Sequence, residues 1–368
     1  MNKYLSTKLK VLSFLVMILV VFAHAGTYDL HFQNGAAGAY DNWCLFIQNY
    51  ISGGLSRAAP GLFFIISAYL FFFNFTSWND FGPKIYKRGR TLLVPYLLWS
   101  AYGILFLALL QALPQSRPFF NKTPISSYDS TQLLDTLFFH PVPYQFWFLR
   151  DLIVLIVLSP LLYLGVRGLR LLAPLLLLAL WIWSPPIPFF TGEDLQAPFF
   201  FSLGIWLALD AREGMAGIQW GRRYGPWLLG LWQALLLVKT TLDLLPHTSP
   251  ALLEAGYKAN ILLGGPAIWF AYDLIYLRWK HGQIGVWSLR LYGLGLFSYS
   301  FFIYAFHEPV LTLLKKALFF LSGKPGSAGA LAIYFSAPLL TIGLAVALAY
   351  GLKKAGLAGL YAWVTGNR

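Results

Sequence analysis

Charged residues are scarce in this 368-residue sequence: Asp, Glu, Lys and Arg together make up 11% of it, against 58% hydrophobic residues. The mean hydropathy is +0.62. A water-soluble domain carries roughly 25% charged residues, because its surface must stay hydrated. Apolar runs of about 18 residues or more, long enough to cross a bilayer, recur along the whole chain. This composition excludes a water-soluble fold and predicts a protein embedded in lipid.

Cysteine is almost absent. The single residue, Cys44, excludes an internal disulfide, a CxxC redox pair and a thiolate-rich zinc site. A role for Cys44 as a catalytic nucleophile stays open. No two of the six histidines have the spacing of metal ligands on one helix, so we predict no metal site.

Acidic residues are outnumbered: 14 Asp and Glu stand against 27 Lys and Arg, which gives a net charge of +13. In a soluble protein such an excess suggests nucleic-acid binding. Here the basic residues lie in short segments between apolar runs, a pattern that sets membrane orientation. We therefore predict the lipid bilayer as the partner of these residues, and no nucleic acid.

The apolar runs predict an all-α polytopic membrane protein with about ten transmembrane helices, in a single integral-membrane domain over residues 1–368. The fifth and sixth runs are short, so we expect them to tilt little or to cross incompletely. The predicted spans are 9–25, 61–75, 92–113, 147–166, 169–183, 199–209, 226–244, 261–277, 296–314 and 331–352.

The distribution of basic residues predicts the orientation. With an even number of spans, 18 of the 27 Lys and Arg residues fall on the side of the two termini. Because Lys and Arg are enriched in cytoplasmic loops, both termini are predicted to be cytoplasmic. The longest connections, 27–55 and 114–146, then face outward, and connections of that length are usually functional.

The N-terminus has a second interpretation. Lysines precede the first apolar run, and Ala23-His24-Ala25 has the small-x-small form of a signal-peptidase site. Cleavage there would remove the first helix together with His24. The distribution of basic residues favours a retained helix.

Several ionisable residues stand within or beside the predicted spans, on the outer side of the membrane. Such residues are costly in lipid and normally mark a functional site in the bundle interior. Each also has a plainer interpretation: arginines can extend to the headgroups, and a histidine can simply bond across helices. The residues are His24, Arg57, Arg150, Asp151, His307 and Glu308.

Acyl transfer to an alcohol is a reaction that such a group of residues could perform. Imidazole is a suitable base near neutral pH, and a cation such as Arg57 or Arg150 could stabilise the tetrahedral oxyanion. A coenzyme A donor would bring phosphates to the cytoplasmic side. Lys87, Arg88 and Arg90 could bind these phosphates there, or they could serve only as positive-inside anchors.

Five motifs in order resemble the acyltransferase 3 family of membrane proteins. In the second, Ala68 stands where the family usually has glycine. Residues 87–96 resemble the basic motif that opens the third helix, and residues 144–152 resemble the family's WFL element. The motifs are 10–24 (KVLSFLVMILVVFAH), 62–70 (LFFIISAYL), 87–96 (KRGRTLLVPY), 144–152 (YQFWFLRDL) and 300–309 (SFFIYAFHEP).

The resemblance implies ten membrane helices and transfer of acetyl or sometimes succinyl groups to cell-envelope sugars. It implies that His24 is essential and that Arg88, with Lys87 or Arg90, takes part. Two further positions depart from the family pattern. Ser13 replaces a common arginine, for which Lys10 or Arg57 could substitute, and Gln145 replaces a common histidine.

These observations together predict a multi-pass acyltransferase of the bacterial cytoplasmic membrane. Acyl-CoA, with acetyl-CoA expected, is the predicted donor, and a cell-envelope carbohydrate is the predicted acceptor. The predicted catalytic residues are His24 as base or acyl relay, with Arg57, Arg150, His307 and Glu308; the predicted donor-binding residues are Lys87, Arg88 and Arg90. A transporter or flippase for a lipid-linked sugar or acyl carrier is the main alternative, and a membrane sensor is a third.

Overall fold

A computed structural model describes residues 2–28, 30–32, 35–36, 40–120, 123–183, 195–211, 217–280, 295–323 and 325–366. Within these ranges the regular structure is helical apart from one antiparallel pair of two-residue strands, β1 (His31–Phe32) and β2 (Gly35–Ala36). The prediction of an all-α fold is confirmed.

The helices are of very different lengths. A π-helix (Asn49–Gly54) and a 3-10 turn (Leu55–Ala58) continue α2 into α3, so the connection predicted at 27–55 is helical over much of its length. The α-helices of the described residues are α1 (Lys3–Ala23), α2 (Asn42–Gln48), α3 (Ala59–Phe72), α4 (Phe81–Ala112), α5 (Ser130–Phe138), α6 (Trp147–Val157), α7 (Ser159–Leu169), α8 (Leu172–Trp183), α9 (Gln196–Leu209), α10 (Ile218–Leu244), α11 (Pro250–Lys280), α12 (Ser300–Leu321), α13 (Ser327–Lys354) and α14 (Ala358–Thr365).

Six of the helical stretches in the described residues are long and apolar enough to cross a membrane, which makes the chain a multi-pass membrane protein. A bent pair, Tyr144–Val157 with Ser159–Leu169, raises the number to seven if it counts as one span. The six stretches are Lys3–Ala23, Asn42–Phe72, Trp78–Ala112, Ile218–Leu244, Pro250–Arg278 and Ser327–Lys354.

Each of the ten predicted spans overlaps a helix, but not all of these helices reach the length of a span. α8 and α9 are short apolar helices, as expected for the fifth and sixth runs. The fourth run, predicted as one helix over 147–166, is divided at Leu158 by a bend of 65°. Pro160 stands in the first turn of α7, and because proline has no N–H the hydrogen-bond ladder of α6 cannot continue through it.

The predicted orientation rests in part on basic residues outside the described ranges. These residues are Lys122, Arg212, Arg290, Lys324 and Arg368. The cytoplasmic position of both termini stays a prediction.

The chain forms two compact units. The first consists of Met1–Val16, Arg57–Arg88 and Asp151–Phe297, and the second consists of Met17–Ser56, Gly89–Arg150 and Ser298–Arg368. Each has its own buried core.

In the first unit, α3 packs on α9 and α10 packs on α11. Glycines allow the close approach of α3 and α9. A β-carbon on Gly204 would lie 2.5 Å from the carbonyl oxygen of Ile65, and one on Gly61 would lie 2.8 Å from the Phe200 ring. Small residues have this role at helix contacts in membranes, since van der Waals packing drives helix association there.

In the second unit, α12 packs on α13, and the short α14 packs on both. The chain end is held by direct hydrogen bonding, because Trp99 Nε1 donates to the carbonyl oxygen of Val364 at 2.9 Å. Gly366 ends α14 in the left-handed region, at a φ of +66°, which is the usual conformation for a glycine at a helix end.

Candidate active site

The inner face of α12 carries the main polar cluster of the second unit. Residues 304, 307, 308, 312 and 315 lie on this one stretch of chain, where hydrogen bonds join Glu308 to Thr312 and His307 to Tyr304. Four of the five are buried, and Thr312 is half-buried. Pro309 interrupts the helix here, and Glu308 before it is extended, at φ −112° and ψ 138°, the region that proline favours for the residue before it.

The His307 imidazole is fully buried, and one of its nitrogens is committed. Its Nδ1 lies 2.7 Å from the carbonyl oxygen of Tyr304. Since a carbonyl oxygen can only accept, Nδ1 carries the hydrogen in this bond and Nε2 keeps its lone pair in the neutral ring. Nε2 has no hydrogen-bond partner among the described residues. His307 is therefore held in the tautomer whose Nε2 can act as an acceptor or a base.

Glu308 is buried beside it. Its Oε1 accepts hydrogen bonds from Thr312 Oγ1 at 3.0 Å and from the Tyr144 hydroxyl at 3.3 Å. Its Oε2 has no partner within the part of the chain that the structure describes. A buried carboxyl oxygen without a donor is uncommon and calls for an explanation.

Gln145 completes the cluster from the 3-10 turn Tyr144–Phe146, which precedes α6. The Tyr304 hydroxyl donates to the carbonyl oxygen of Gln145 at 2.9 Å. The Gln145 side-chain amide lies 3.3 to 3.5 Å from carbonyl oxygens of α12. Its Oε1 is buried and has no donor among the residues described. Three buried acceptor atoms of this cluster, one each on Gln145, His307 and Glu308, thus have no hydrogen-bond donor among the described residues.

His24 lies at the edge of this cluster. The first helix was predicted to extend past it, but α1 ends at Ala23 and His24 is the first residue beyond. Its ring stacks on His307, with centroids 5.5 Å apart and planes 23° apart. It also meets the Tyr144 ring edge-on at 4.8 Å. His24, His307 and Glu308, which are distant in sequence, are therefore brought together in one site.

The two predicted arginines are placed differently. Arg150, on α6, is half-buried in the second unit, and its Nη1 donates to the carbonyl oxygen of Phe139 at 2.9 Å. Arg57 belongs to the first unit, where it stands exposed in the turn Leu55–Ala58. Its role in catalysis stays a prediction.

The predicted donor-binding residues lie in the N-terminal part of α4. Lys87 and Arg90 are exposed and Arg88 is half-buried. Exposed cations such as Lys87 and Arg90 are accessible to an anionic ligand, which is the condition that binding of coenzyme A phosphates requires.

A sequence comparison identifies the family. The acyltransferase domain model of the acyltransferase 3 family matches residues 8–350. The chain belongs to the acyltransferase 3 family. It is therefore an enzyme that transfers acyl groups other than amino-acyl groups.

One relative is similar along nearly its whole length. The succinoglycan biosynthesis protein ExoH of Rhizobium meliloti (strain 1021) is 26% identical over 377 residues, which cover 100% of this chain and 94% of ExoH. No solved structure matches the chain.

Some residues of the site in this acyltransferase were not predicted from sequence. Lys315 is buried, and it donates from Nζ to the carbonyl oxygens of His24 and Gly26, at 2.5 and 3.0 Å. Its sequence signal is a lysine in an apolar helix, seven residues after Glu308, because a charged residue in such a helix normally faces the bundle interior. Gln145 differs from the family pattern in the sequence, but nothing in the sequence indicates its contacts with α12.

A second buried polar cluster of the acyltransferase lies in the first unit and was also missed. Lys8 Nζ is 2.6 Å from Asp273 Oδ1 and 3.9 Å from the centre of the Trp269 ring. The Tyr4 hydroxyl donates to the same carboxylate. Asp273 stands inside the predicted span 261–277. Like His307, it is an ionisable residue in an apolar run, and such residues normally face the bundle interior.

Proposed function

We propose that this chain is a membrane O-acyltransferase that transfers an acyl group from acyl-CoA to a hydroxyl group of a cell-envelope carbohydrate, with acetyl-CoA as the expected donor. The observation that carries the proposal is the stacked pair of His24 and His307 beside the buried Glu308, in a chain of an acyltransferase family. Transfer to an alcohol requires a base at the attacking hydroxyl, and this pair provides one.

The unpaired acceptors support a carbohydrate as the substrate. Gln145 Oε1, His307 Nε2 and Glu308 Oε2 are all acceptors when the carboxyl group is ionised, and all lack donors among the described residues. A sugar carries several hydroxyl donors within a few ångströms of each other. It would satisfy these atoms together, which an apolar lipid or a simple anion would not.

In the proposed reaction His24 is the general base. The acceptor hydroxyl oxygen attacks the thioester carbonyl carbon while His24 removes the hydroxyl proton. The tetrahedral intermediate collapses with cleavage of the carbon–sulfur bond, and the protonated His24 returns the proton to the coenzyme A thiolate. His307 and Glu308 accept hydrogen bonds from neighbouring sugar hydroxyls, which places the reacting hydroxyl at His24.

Stabilisation of the oxyanion is assigned to an arginine. Arg150 supports this role because it lies in the same compact unit as the histidine pair and is half-buried, where its charge acts in a medium of lower dielectric than water. Arg57 is kept as a second candidate from sequence. Removal of one such donor generally lowers kcat by about 10² to 10³-fold.

The donor is proposed to bind through its phosphates to Lys87, Arg88 and Arg90. Their place near the start of a long apolar helix suits a ligand with a charged head and a reactive end that must enter the membrane. No metal ion enters the proposed reaction.

The acceptor is proposed to be a polysaccharide of the cell envelope or its precursor. The name of the relative, a succinoglycan biosynthesis protein, supports this class. Rings exposed or half-exposed in the second unit could stack on sugar faces; they are Trp43, Tyr50, Tyr144 and Trp147.

The proposed membrane arrangement is a single domain over residues 1–368 with ten crossings, both termini in the cytoplasm, in a bacterial cytoplasmic membrane. The overlap of each predicted span with a helix supports ten crossings. Short crossings would then be made by α8 and α9.

The test is the acyl content of surface glycans, measured by mass spectrometry. A strain lacking the gene is complemented with the wild type, with His24→Ala, or with His140→Ala as a matched control, since His140 is exposed and its Nδ1 contacts the Asp135 carboxylate. We expect the wild type and His140→Ala to restore an acyl mass that His24→Ala does not, at equal expression. Restoration by His24→Ala would exclude His24 as the base, and no acyl difference in any strain would overturn the proposed acceptor.

A further inference from the structure

The C-terminal end of α1 is held by one buried cation. Lys315, on α12, donates to the carbonyl oxygens of His24 and Gly26 at 2.5 and 3.0 Å. These carbonyls lie just beyond the last turn of α1, where main-chain oxygens have no helical partner and where the helix dipole favours positive charge. Only 4% of Lys315 is exposed, so water does not replace these bonds.

The same residue belongs to the helix that carries the other site residues. Lys315 and Glu308 are both buried on α12, seven residues apart. Lys315 therefore links the segment that carries His24 to the helix that carries His307 and Glu308.

We propose that Lys315 is a positioning residue for acyl transfer: it fixes the main chain at His24 and so keeps the His24 imidazole stacked on His307 at 5.5 Å. This inference rests on the proposed function, in which His24 is the base. A base must stay within hydrogen-bond reach of the hydroxyl, and a displacement of about 1 Å can lower the rate about 10²-fold.

The neighbouring residue offers a matched control. Lys316 is also on α12 and its Nζ donates to the carbonyl oxygen of Phe119 at 2.5 Å. Lys316→Met thus removes the same charge and a main-chain hydrogen bond one residue away, without releasing His24. Lys315→Met removes the clamp, and Lys315→Arg keeps a cation with donors for two carbonyls.

The first measurement is steady-state acyl transfer by the purified proteins in lipid vesicles. We expect Lys315→Met to lower kcat about 10²-fold while KM for the donor changes less than about threefold. Lys315→Arg should recover much of kcat, and Lys316→Met should stay within about twofold of the wild type. A loss in Lys315→Met that Lys315→Arg does not recover, or equal losses in both methionine variants, would overturn the positioning role.

The second measurement does not depend on activity. Diethyl pyrocarbonate modifies neutral imidazoles, and peptide mass spectrometry gives the rate at each histidine. We expect His24 to be modified several-fold faster in Lys315→Met than in the wild type, with the exposed His140 as an unchanged internal standard. Equal rates at His24 would overturn the proposal even if kcat fell. If the wild type itself transferred no acyl group but His24 were labelled faster in Lys315→Met, the proposed function would be overturned and the clamp on His24 would be established.

Discussion

The buried ion pair of Lys8 and Asp273 permits a quantitative test of how the first unit is held together. Both side chains are at most 1% exposed, and their charged atoms are 2.6 Å apart. Lys8 also lies over Trp269, and Asp273 accepts from Tyr4. The perturbation is Lys8→Met, which keeps the length and apolar stem of the side chain and removes its charge.

The expected loss is large because the partner remains. Without Lys8, the Asp273 carboxylate stays buried, and among the described residues the Tyr4 hydroxyl is its remaining hydrogen-bond donor. Removing one member of a buried pair costs about 3 to 5 kcal/mol, whereas replacing both by apolar residues is often neutral. We therefore expect Lys8→Met to lower the free energy of unfolding by about 3 kcal/mol or more. The double variant Lys8→Met/Asp273→Leu should recover most of this loss.

The assay is reversible unfolding in mixed micelles with increasing denaturing detergent, followed by tryptophan fluorescence, for the wild type, both single variants and the double variant. Lys10→Met is the control, since Lys10 is exposed two residues away on α1, and it should change stability by less than about 0.5 kcal/mol. If the two single losses simply add in the double variant, the residues are not energetically coupled and the reasoning is refuted. A loss below about 1 kcal/mol in Lys8→Met would refute it equally.

Three further predictions concern the site and the packing. His307→Ala should lower kcat by about 10² to 10⁴-fold in steady-state kinetics because it removes the oriented Nε2 acceptor; a change within twofold would contradict its role. Arg88→Met should raise KM for acyl-CoA about tenfold, the equivalent of one charge-assisted contact, whereas the exposed Lys354→Met should not; equal KM values would contradict phosphate binding at Arg88. Gly204→Leu should lower the free energy of unfolding by about 1 to 3 kcal/mol through overpacking against α3. Gly230→Leu, which meets open space, should stay near the wild type, and equal losses in the two would contradict the packing argument.

Local sequence patterns accounted for most of the helices. An apolar run must form a helix in lipid, because each backbone N–H and C=O has to be satisfied within the segment. All ten predicted runs accordingly overlap helices, although the fourth is divided between two. The break after α6 does not follow from the presence of Pro160 alone, since a proline in a membrane helix either kinks it or begins a new one.

The site was predicted in part. His307 and Glu308 were selected as ionisable residues in an apolar run, and the resemblance of residues 10–24 to the acyltransferase 3 family pointed to His24. The contributions of Gln145 and Lys315 depend on contacts across 159 and 291 residues of sequence. No local pattern carries information on such distances.

The sequence by itself determined the solvent, the fold class and the family of this protein. Low charge and long apolar runs require lipid, and five ordered motifs identify an acyltransferase. The tertiary structure alone decided which polar groups meet. It stacked His24 on His307, oriented His307 through the Tyr304 carbonyl, and paired Lys8 with Asp273 rather than leaving it in water. The physical reason is that a buried charge or imidazole is defined by its partners, and these partners are brought together by helix packing rather than by their order along the chain.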